Sequence, residues 1–339
     1  MSMLKYILRR LLAAVPVLFG VLTITFVLSR MMPGDPVLAT MQARFPTEAQ
    51  YRAQYEALGL HLPLITQYFI YVGKLFTGDW GYSYSLVRGQ AVWDIIMLRF
   101  PRTFDIAIFA IVIATIVGLK TGVISATNRN KWKDTLLRGI ALVGVSIPIF
   151  WMGLILQYFL AFQLGWFPTA NYKTPGIGDP PIITLNRIVD SILSGQTYLI
   201  TDYLHHLILP IFCLSFITIA GITRQTRSSM LEILEQDYVR TARAKGCKER
   251  DVINTHARKN ALIPTITVIG LNFGGLLAGA ILTETTFNLH GIGEALIASI
   301  QSTDYWLLNA IVFLTTVVFI VINLGVDIIY GFVDPRIRY

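Results

Sequence analysis

The sequence predicts an all-α integral membrane protein of about six transmembrane helices. Hydrophobic residues make up 54% of the chain and charged residues only 14%, well below the roughly 25% that is usual for soluble proteins. Six runs are almost free of Asp, Glu, Lys and Arg, and each approaches the ~20 residues that cross ~30 Å of hydrocarbon. Such a chain can place its apolar side chains against lipid, so it does not need one large hydrophobic core shielded from water.

The first apolar run, 11–29, follows Lys5, Arg9 and Arg10 and could be a signal peptide. It is longer than the ~7–15-residue core of such peptides, and Arg30-Met-Met-Pro follows in place of a small-residue cleavage site. We therefore interpret 1–32 as an N-terminal tail and an uncleaved first span.

Five further spans are expected in a core, 103–332, before a short tail, 333–339. We place them at about 103–126, 139–162, 203–223, 260–283 and 305–326. Pro148, Pro210 and Pro264 are expected to kink helices or to mark their first turns.

The distribution of Lys and Arg orients the chain. With the N-terminus inside, the inner segments hold most of the 28 basic residues. The outer segment 164–202 carries only Lys173 and Arg187, and 284–304 carries none. Both ends are therefore predicted to lie inside, an N-in/C-in arrangement.

A long outer segment, 33–102, separates the first two spans. Thr47 is placed to cap a short helix that Gly59 ends. The aromatic, amphipathic stretch 62–76 either lies in the membrane interface or packs on the outer mouth, and the sequence leaves both open. GDWGYS (78–83) is typical of a turn.

No motif of an enzyme is present. The sequence contains no GxxxxGK[ST], HExxH or GxSxG, so we predict no catalytic residue and no ATP site on this chain. His205 and His206 are adjacent, and side chains of neighbours on a helix point about 100° apart. We predict no metal site.

The cysteines and the net charge of +8 have simple explanations. Cys213 and Cys247 form no CxxC or Cys/His cluster, so neither a metal site nor a disulfide is expected. The basic residues alternate with apolar runs, which membrane topology explains better than nucleic-acid binding.

Four polar residues lie within or beside the spans: Lys120, Glu284, Asn323 and Asp327. Ionisable groups in a membrane suggest a function. Lys120 and Asp327 fall near the inner interface, however, where snorkelling or pairing with basic residues is a sufficient explanation. An ion-coupled carrier is expected to hold a midplane carboxylate or a broken helix, and the sequence indicates neither.

The inner loop 224–263 is too regular to be a mere connector. Ser228 or Ser229 could cap a helix through Leu234. Asp237 could cap a second, short helix, YVRTARAK, which Gly246 stops.

This second helix has two interpretations. Its small residues, Ala242 and Ala244, would allow another surface to approach closely, while its charges set the register. Alternatively, the segment is a solvated basic loop that follows from the positive-inside rule.

At this loop the sequence resembles the inner-membrane permeases of ABC importers of the dipeptide/oligopeptide type. DYVRTARAKG, followed by HARKNALIP (256–264), is similar to that family's Glu-Ala-Ala loop, although Arg240-Thr241-Ala242 replaces Glu-Ala-Ala. NLHGIG also departs from the family, which usually has proline where this chain has His290. Further similar stretches span the chain: ILRRLL, PGDP, GDWGYS, PIFWMGLIL, TRSSMLEIL, LLAGAILTETTF and DPRIR (334–338).

The resemblance implies a multi-pass protein of the cell's inner membrane that forms half of a pore. It also implies membrane lipid around the chain, a homologous second permease subunit, two ATPase subunits that carry ATP and Mg²⁺, and an extracytoplasmic solute-binding protein. The short helix would dock into the ATPase. The candidate coupling residues are Asp237, Tyr238, Arg240, Thr241, Ala242, Arg243, Ala244 and Gly246.

Four glycines of the fifth span are expected either to pack closely on the partner or to face lipid; they are Gly270, Gly274, Gly275 and Gly279. The implied cargo is a di- or oligopeptide. The alternatives are oligosaccharides or nickel complexes carried by the same machinery, or a self-sufficient secondary carrier. No residue of the sequence identifies a substrate-binding site.

Overall fold

The computed structural model describes residues 3–41, 46–84 and 86–333, and within those ranges the chain is helical apart from turns, loops and one isolated bridge. The first five helices are α1 (Met3–Met31), α2 (Pro36–Thr40), α3 (Glu48–Ala57), α4 (Leu64–Thr77) and α5 (Val92–Thr127). The next are α6 (Trp132–Ser146), α7 (Ile149–Leu156) with a π-helical continuation (Gln157–Gln163), α8 (Arg187–Leu193) and α9 (Tyr198–Leu234). The last are α10 (Asp237–Ala244), α11 (Glu249–Asp251) with a π-helical continuation (Val252–Ala257), α12 (Arg258–Gly279), α13 (Ile281–Phe287), α14 (Ile292–Gln301) and α15 (Tyr305–Val333).

Five helices of the described chain are long and apolar enough to cross a membrane. They are Ile7–Met31, Val92–Thr127, Tyr198–Leu234, Glu249–Leu277 and Tyr305–Ile329. The predicted first, second, fourth and sixth spans lie wholly inside α1, α5, α9 and α15. The predicted fifth span is wrong at its end, because α12 stops at Gly279 and α13 begins at Ile281.

The predicted third span is not a straight helix. α6 and the helix that starts with α7 meet at an angle of 99°, and Ile147 and Pro148 lie between them. Proline fixes its own φ and restricts the residue before it, so the helix breaks here. The two helices form a sixth span only if they cross the membrane together as one broken span. The expectation that the chain has no broken helix is therefore wrong.

The centre of the bundle is the packing of α5 on α9. A Cβ atom on Gly118 would lie 2.7 Å from the Ile222 side chain, and one on Gly122 would lie 2.5 Å from Thr226. Only glycine allows the two helices to approach this closely.

Two glycines of α12, Gly270 and Gly274, pack within this chain. A Cβ atom on Gly270 would clash with Val326 of α15, and one on Gly274 would lie 2.7 Å from Phe319 of α15. Open space lies beside Gly275. Neither the expected contact of Gly270 and Gly274 with a partner nor the lipid-facing alternative therefore holds.

The segment 33–102, as far as the structure describes it, contains the expected helix and turn. Thr47 caps α3, with a reciprocal capping box to Gln50, and Gly59 follows the helix with φ +69°. The GDWGYS stretch turns through Gly78 and Gly81, at φ +81° and +72°.

The amphipathic helix α4 packs on the bundle with one face. Tyr71, Val72 and Leu75 are buried in a cluster with residues of α1, α5, α14 and α15, while Ile65 and Phe69 are exposed. α4 therefore packs on the bundle with one face, and its exposed face is apolar.

Two of the charged groups near the spans, Asp327 and Glu284, have partners, while Lys120 is exposed. Asp327 forms a 3.1 Å ion pair with Arg10, which confirms pairing with a basic residue. Glu284 is fully buried. Its carboxylate accepts hydrogen bonds from the Thr103 hydroxyl at 2.6 Å and from the Gly293 N–H at 2.7 Å, so it joins α13 to α5 and α14.

His290 lies in the turn between α13 and α14 with left-handed backbone. Asn288 and His290 have φ of +51° and +54°, and proline, fixed near −65°, could not occupy the latter conformation. The DPRIR stretch (334–338) lies outside the described residues.

Candidate functional site

The helix before the candidate site is longer than the sequence suggested. α9 runs without a break from Tyr198 to Leu234, so no new helix begins at Ser228 or Ser229. Ser229 is buried, and its hydroxyl oxygen accepts a hydrogen bond from Gln225 at 3.1 Å. The drop in hydropathy marks the end of the apolar part of the helix, while the hydrogen-bonded helix continues.

The short helix of the site forms where it was predicted. α10 begins at Asp237, one residue after its N-cap Gln236, and Asp237 makes no capping hydrogen bond. Its carboxylate instead lies in the first turn, where the helix dipole favours negative charge. Gly246, at φ +79°, ends the turn after the helix. The Gly246 N–H donates to Arg243 O at 2.9 Å.

A small apolar cluster holds α10 against the bundle. Val239 and Val252 are fully buried, Ala242 is 8% exposed, and Ile233 and Leu234 from the end of α9 pack beside them. Ala242 therefore forms part of the contact with the bundle, and a docking partner could not reach it. Among the two small residues singled out in the sequence, only Ala244 is exposed.

An ion pair with two hydrogen bonds, between Arg243 and Glu249, holds the loop that follows α10. Arg243 Nε lies 3.1 Å from Glu249 Oε2, and Arg243 Nη2 lies 2.8 Å from Glu249 Oε1. These hydrogen bonds raise the pKa of the Arg243 guanidinium. A further hydrogen bond, from Asn260 Nδ2 to the Tyr238 hydroxyl at 2.8 Å, ties α10 to α12.

The remaining candidate residues lie on the solvent-exposed face of α10 and in the turn that follows it. Those exposed are Asp237, Tyr238, Arg240, Thr241, Arg243, Ala244 and Gly246. Arg240 lies 3.7 Å from Asp237 in an ion pair that is open to solvent. The surface offers cationic groups, hydroxyls and a small residue, which suit contact with another protein.

Sequence reasoning missed the residues that support α10. Val239 is the only large aliphatic residue between Leu234 and Val252, and that isolation was an available signal. Val252 and Glu249 had no such signal, because their role depends on how the chain folds back after Gly246.

A second ion pair fixes the helices behind the site. Asp134 of α6 is fully buried, and its carboxylate accepts hydrogen bonds from Arg227 Nε at 2.8 Å and Nη2 at 2.9 Å. The hydroxyl of Ser125 donates to the same carboxylate at 2.6 Å. The pair therefore joins α5, α6 and α9 at the end of the bundle that carries α10.

The bundle of apolar helices, with a short polar helix on one end, defines a multi-pass membrane protein. Comparison with known families gives the particular class. Residues 118–339 match the binding-protein-dependent transport system inner membrane component, and residues 3–107 match the N-terminal region of such membrane components. The chain belongs to this family of inner-membrane permease components, which transport and do not catalyse.

Curated relatives match over almost the whole length. The dipeptide transport system permease protein DppB of Alkalihalophilus pseudofirmus is 43% identical, over 99% of this chain and 100% of its own. The di/tripeptide transport system permease protein DppB of Pseudomonas aeruginosa is 42% identical, over 99% of both chains. The oligopeptide transport system permease protein AppB of Bacillus subtilis is 37% identical, over 99% of this chain and 100% of its own.

A solved structure shares the fold. A chain of the MetNI methionine ABC transporter, in an inward-facing conformation, aligns with a TM-score of 0.53 at 14% identity. The alignment covers 71% of this chain and 96% of that one.

Proposed function

We propose that this chain is one pore-forming subunit of an ATP-driven importer of di- or oligopeptides. The observation that carries the proposal is the near full-length similarity to three permeases named for peptide transport. A second homologous permease would complete the pore, two ATPase subunits with ATP and Mg²⁺ would power it, and an extracytoplasmic binding protein would deliver the peptide.

In this proposal α10 is the element that receives force from an ATPase subunit. Two properties support the role: an outer surface of exposed polar side chains and a limited hold on the bundle through Val239, Ala242 and Val252. Such a helix can contact a partner and still shift against the spans. Both chain ends and α10 would then lie in the cytoplasm, with the segment 33–102 outside.

The domain organisation follows from this orientation. The first span ends near 32, the outer segment covers 33–102, and a core of the remaining spans covers 103–332 before a cytoplasmic tail at 333–339. The part of 224–263 outside α9 and α12 would be the cytoplasmic surface that meets the ATPase.

Reconstitution tests the proposal. We expect the chain to copurify with a second permease and an ATPase, and the complex in vesicles to take up a labelled dipeptide only with ATP and the binding protein. Uptake by this chain alone, driven by an ion gradient, would instead identify a secondary carrier. The same assay with oligosaccharides or nickel complexes as cargo separates the alternative substrates.

A further inference from the structure

A cavity beside the start of α15 contains several buried polar groups that have no partner. It has a volume of about 70 Å³ and lies between the end of α1, the helices α2 and α4, and α15. Four polar atoms of its lining have no hydrogen-bond partner among the described residues: Arg30 Nε, Gln67 Oε1, Tyr71 OH and Asn309 Oδ1.

Unpaired buried polar atoms are rare in folded proteins, and here four of them line one space. Gln67, Tyr71 and Asn309 are each at least nine-tenths buried. The amide orientation of Gln67 is fixed because its Nε2 donates to Leu60 O at 3.2 Å and to Leu62 O at 2.8 Å. Its Oε1 is thereby left as an acceptor for a ligand.

The charge of the cavity comes from Arg30. Its guanidinium stacks over the Phe26 ring at 5.1 Å and the Tyr305 ring at 5.8 Å, and it forms no ion pair within the described chain. A partly buried cation without a counter-ion is costly. Water could satisfy the hydrogen bonds, but water cannot neutralise the charge.

The cavity therefore requires two kinds of group in one ligand. Arg30 requires an anion such as phosphate, which a guanidinium binds well. The fixed oxygen of Gln67 requires an N–H or O–H donor, and the unpaired amide of Asn309 can accept a hydrogen bond from such a donor as well. A volume of about 70 Å³ exceeds the ~10–15 Å³ that one water molecule needs.

The rim of the cavity indicates where such a ligand comes from. Ile70 lines the cavity and is 43% exposed. Leu28 and Met31, on either side of Arg30 in α1, are also exposed, as is the outer face of α4. Exposed apolar surface beside a polar site at the end of a membrane-spanning helix suits acyl chains below a headgroup.

We propose that this cavity binds the headgroup of a phospholipid, with the phosphate on Arg30 and the Tyr71 hydroxyl, and a headgroup N–H or O–H on Gln67 and Asn309. The site does not depend on the proposed transport function. It would fix the outer segment, through α4, to the spans α1 and α15.

The test compares two lipids that differ in hydrogen-bond donors. Lipid-depleted protein, purified with the subunits it carries, is titrated with phosphatidylethanolamine or with phosphatidylcholine of the same acyl chains. Bound lipid is counted by native mass spectrometry. We expect one tightly held phosphatidylethanolamine and weaker retention of phosphatidylcholine, whose headgroup has no N–H.

Two variants locate the binding. Arg30→Met should weaken phosphatidylethanolamine binding by at least about tenfold, because a charge-assisted hydrogen bond is lost. Tyr71→Phe should weaken it by about fivefold, and the ligand-free fold should be unharmed, since that hydroxyl bonds to no described residue. The matched controls are Arg52→Met and Tyr55→Phe, on the exposed helix α3.

Equal retention of both lipids, or unchanged retention in Arg30→Met and Tyr71→Phe, would overturn the proposal. Glycerol 3-phosphate is the third ligand to be tested. If it stabilises the protein against heat through Arg30 while no lipid is retained, the anion chemistry is correct and the lipid source is wrong.

Discussion

Two arginine–carboxylate pairs at the same end of the bundle have nearly the same geometry and very different surroundings. Arg227 binds Asp134 through two hydrogen bonds of 2.8 and 2.9 Å, and Arg243 binds Glu249 through two of 3.1 and 2.8 Å. The side chain of Asp134 is 1% exposed, whereas that of Glu249 is 58% exposed.

Burial gives the two pairs different roles. Breaking a buried pair leaves an uncompensated charge in a poorly solvated site, whereas water replaces most of an exposed pair. Asp134 therefore fixes α5, α6 and α9 relative to one another, while Glu249 holds α10 only loosely. Under the proposed function, rigid spans beside a loosely held helix would let α10 transmit the motion of an ATPase subunit.

Asp134→Asn should have the largest effect on stability. We expect a loss of about 3 kcal/mol, because Arg227 loses its counter-ion inside the bundle. Thermal or denaturant unfolding in detergent measures the loss. The matched control is Asp237→Asn, since that side chain is 98% exposed. If the two variants are equally stable, the buried pair does not fix the spans.

Val239→Ala should come next and act locally. Removing two carbons from a fully buried side chain costs about 2 kcal/mol, which should loosen α10 without unfolding the spans. Hydrogen exchange should speed up over 237–246 and stay unchanged in α5. Thr241→Ser, on the exposed side of the same helix, serves as the control. Uniformly faster exchange would argue against a separately held helix.

Gly246→Val tests the turn that ends α10. A β-branched residue at φ +79° costs about 1–3 kcal/mol, and we expect less transport for each ATP hydrolysed with normal membrane insertion. Gly246→Asn should retain more coupling, since asparagine tolerates left-handed backbone. If valine leaves coupling intact, the assignment of this turn is wrong.

Glu249→Gln should have the smallest effect on stability. The exposed pair with Arg243 contributes less than about 1 kcal/mol, and salt should reduce even that amount. Unfolding at low and high ionic strength measures the difference. A loss comparable with that of Asp134→Asn would remove the contrast between the two pairs.

Much of the fold was readable from the sequence, for physical reasons. Lipid requires long apolar runs, so four of the six predicted spans lie inside observed helices. Thr47 marks the start of α3 through capping, and Gly246 marks the end of the turn after α10 through left-handed backbone. α9 continues past Ser229, where the sequence predicts a new helix, because a helix can continue past its apolar part. Pro148 marks where the helix breaks, as expected, but the 99° angle also depends on packing, as Gly153 of α7 lies close to Phe287 of α13.

The helix that carries the candidate site forms where the sequence predicts it, but the residues that hold this helix were not predicted. The bounds of α10 follow from nearby residues. Contacts of Val239 with Val252, of Arg243 with Glu249, and of Asp134 with Arg227 join residues that are apart in sequence, and no local pattern encodes them. The cavity beside Arg30 was missed for the same reason, since α1, α4 and α15 supply its polar groups.

Cross-linking from α10 tests the central claim, that the exposed face of this helix docks on an ATPase subunit. Cysteine is introduced as Thr241→Cys, in a Cys247→Ser background because Cys247 is exposed. Thr135→Cys, exposed on α6 at the same end, is the control. We predict a cross-link to the ATPase from position 241 that ATP binding alters, and none from position 135. A cross-link from position 135 with none from 241 would contradict the account.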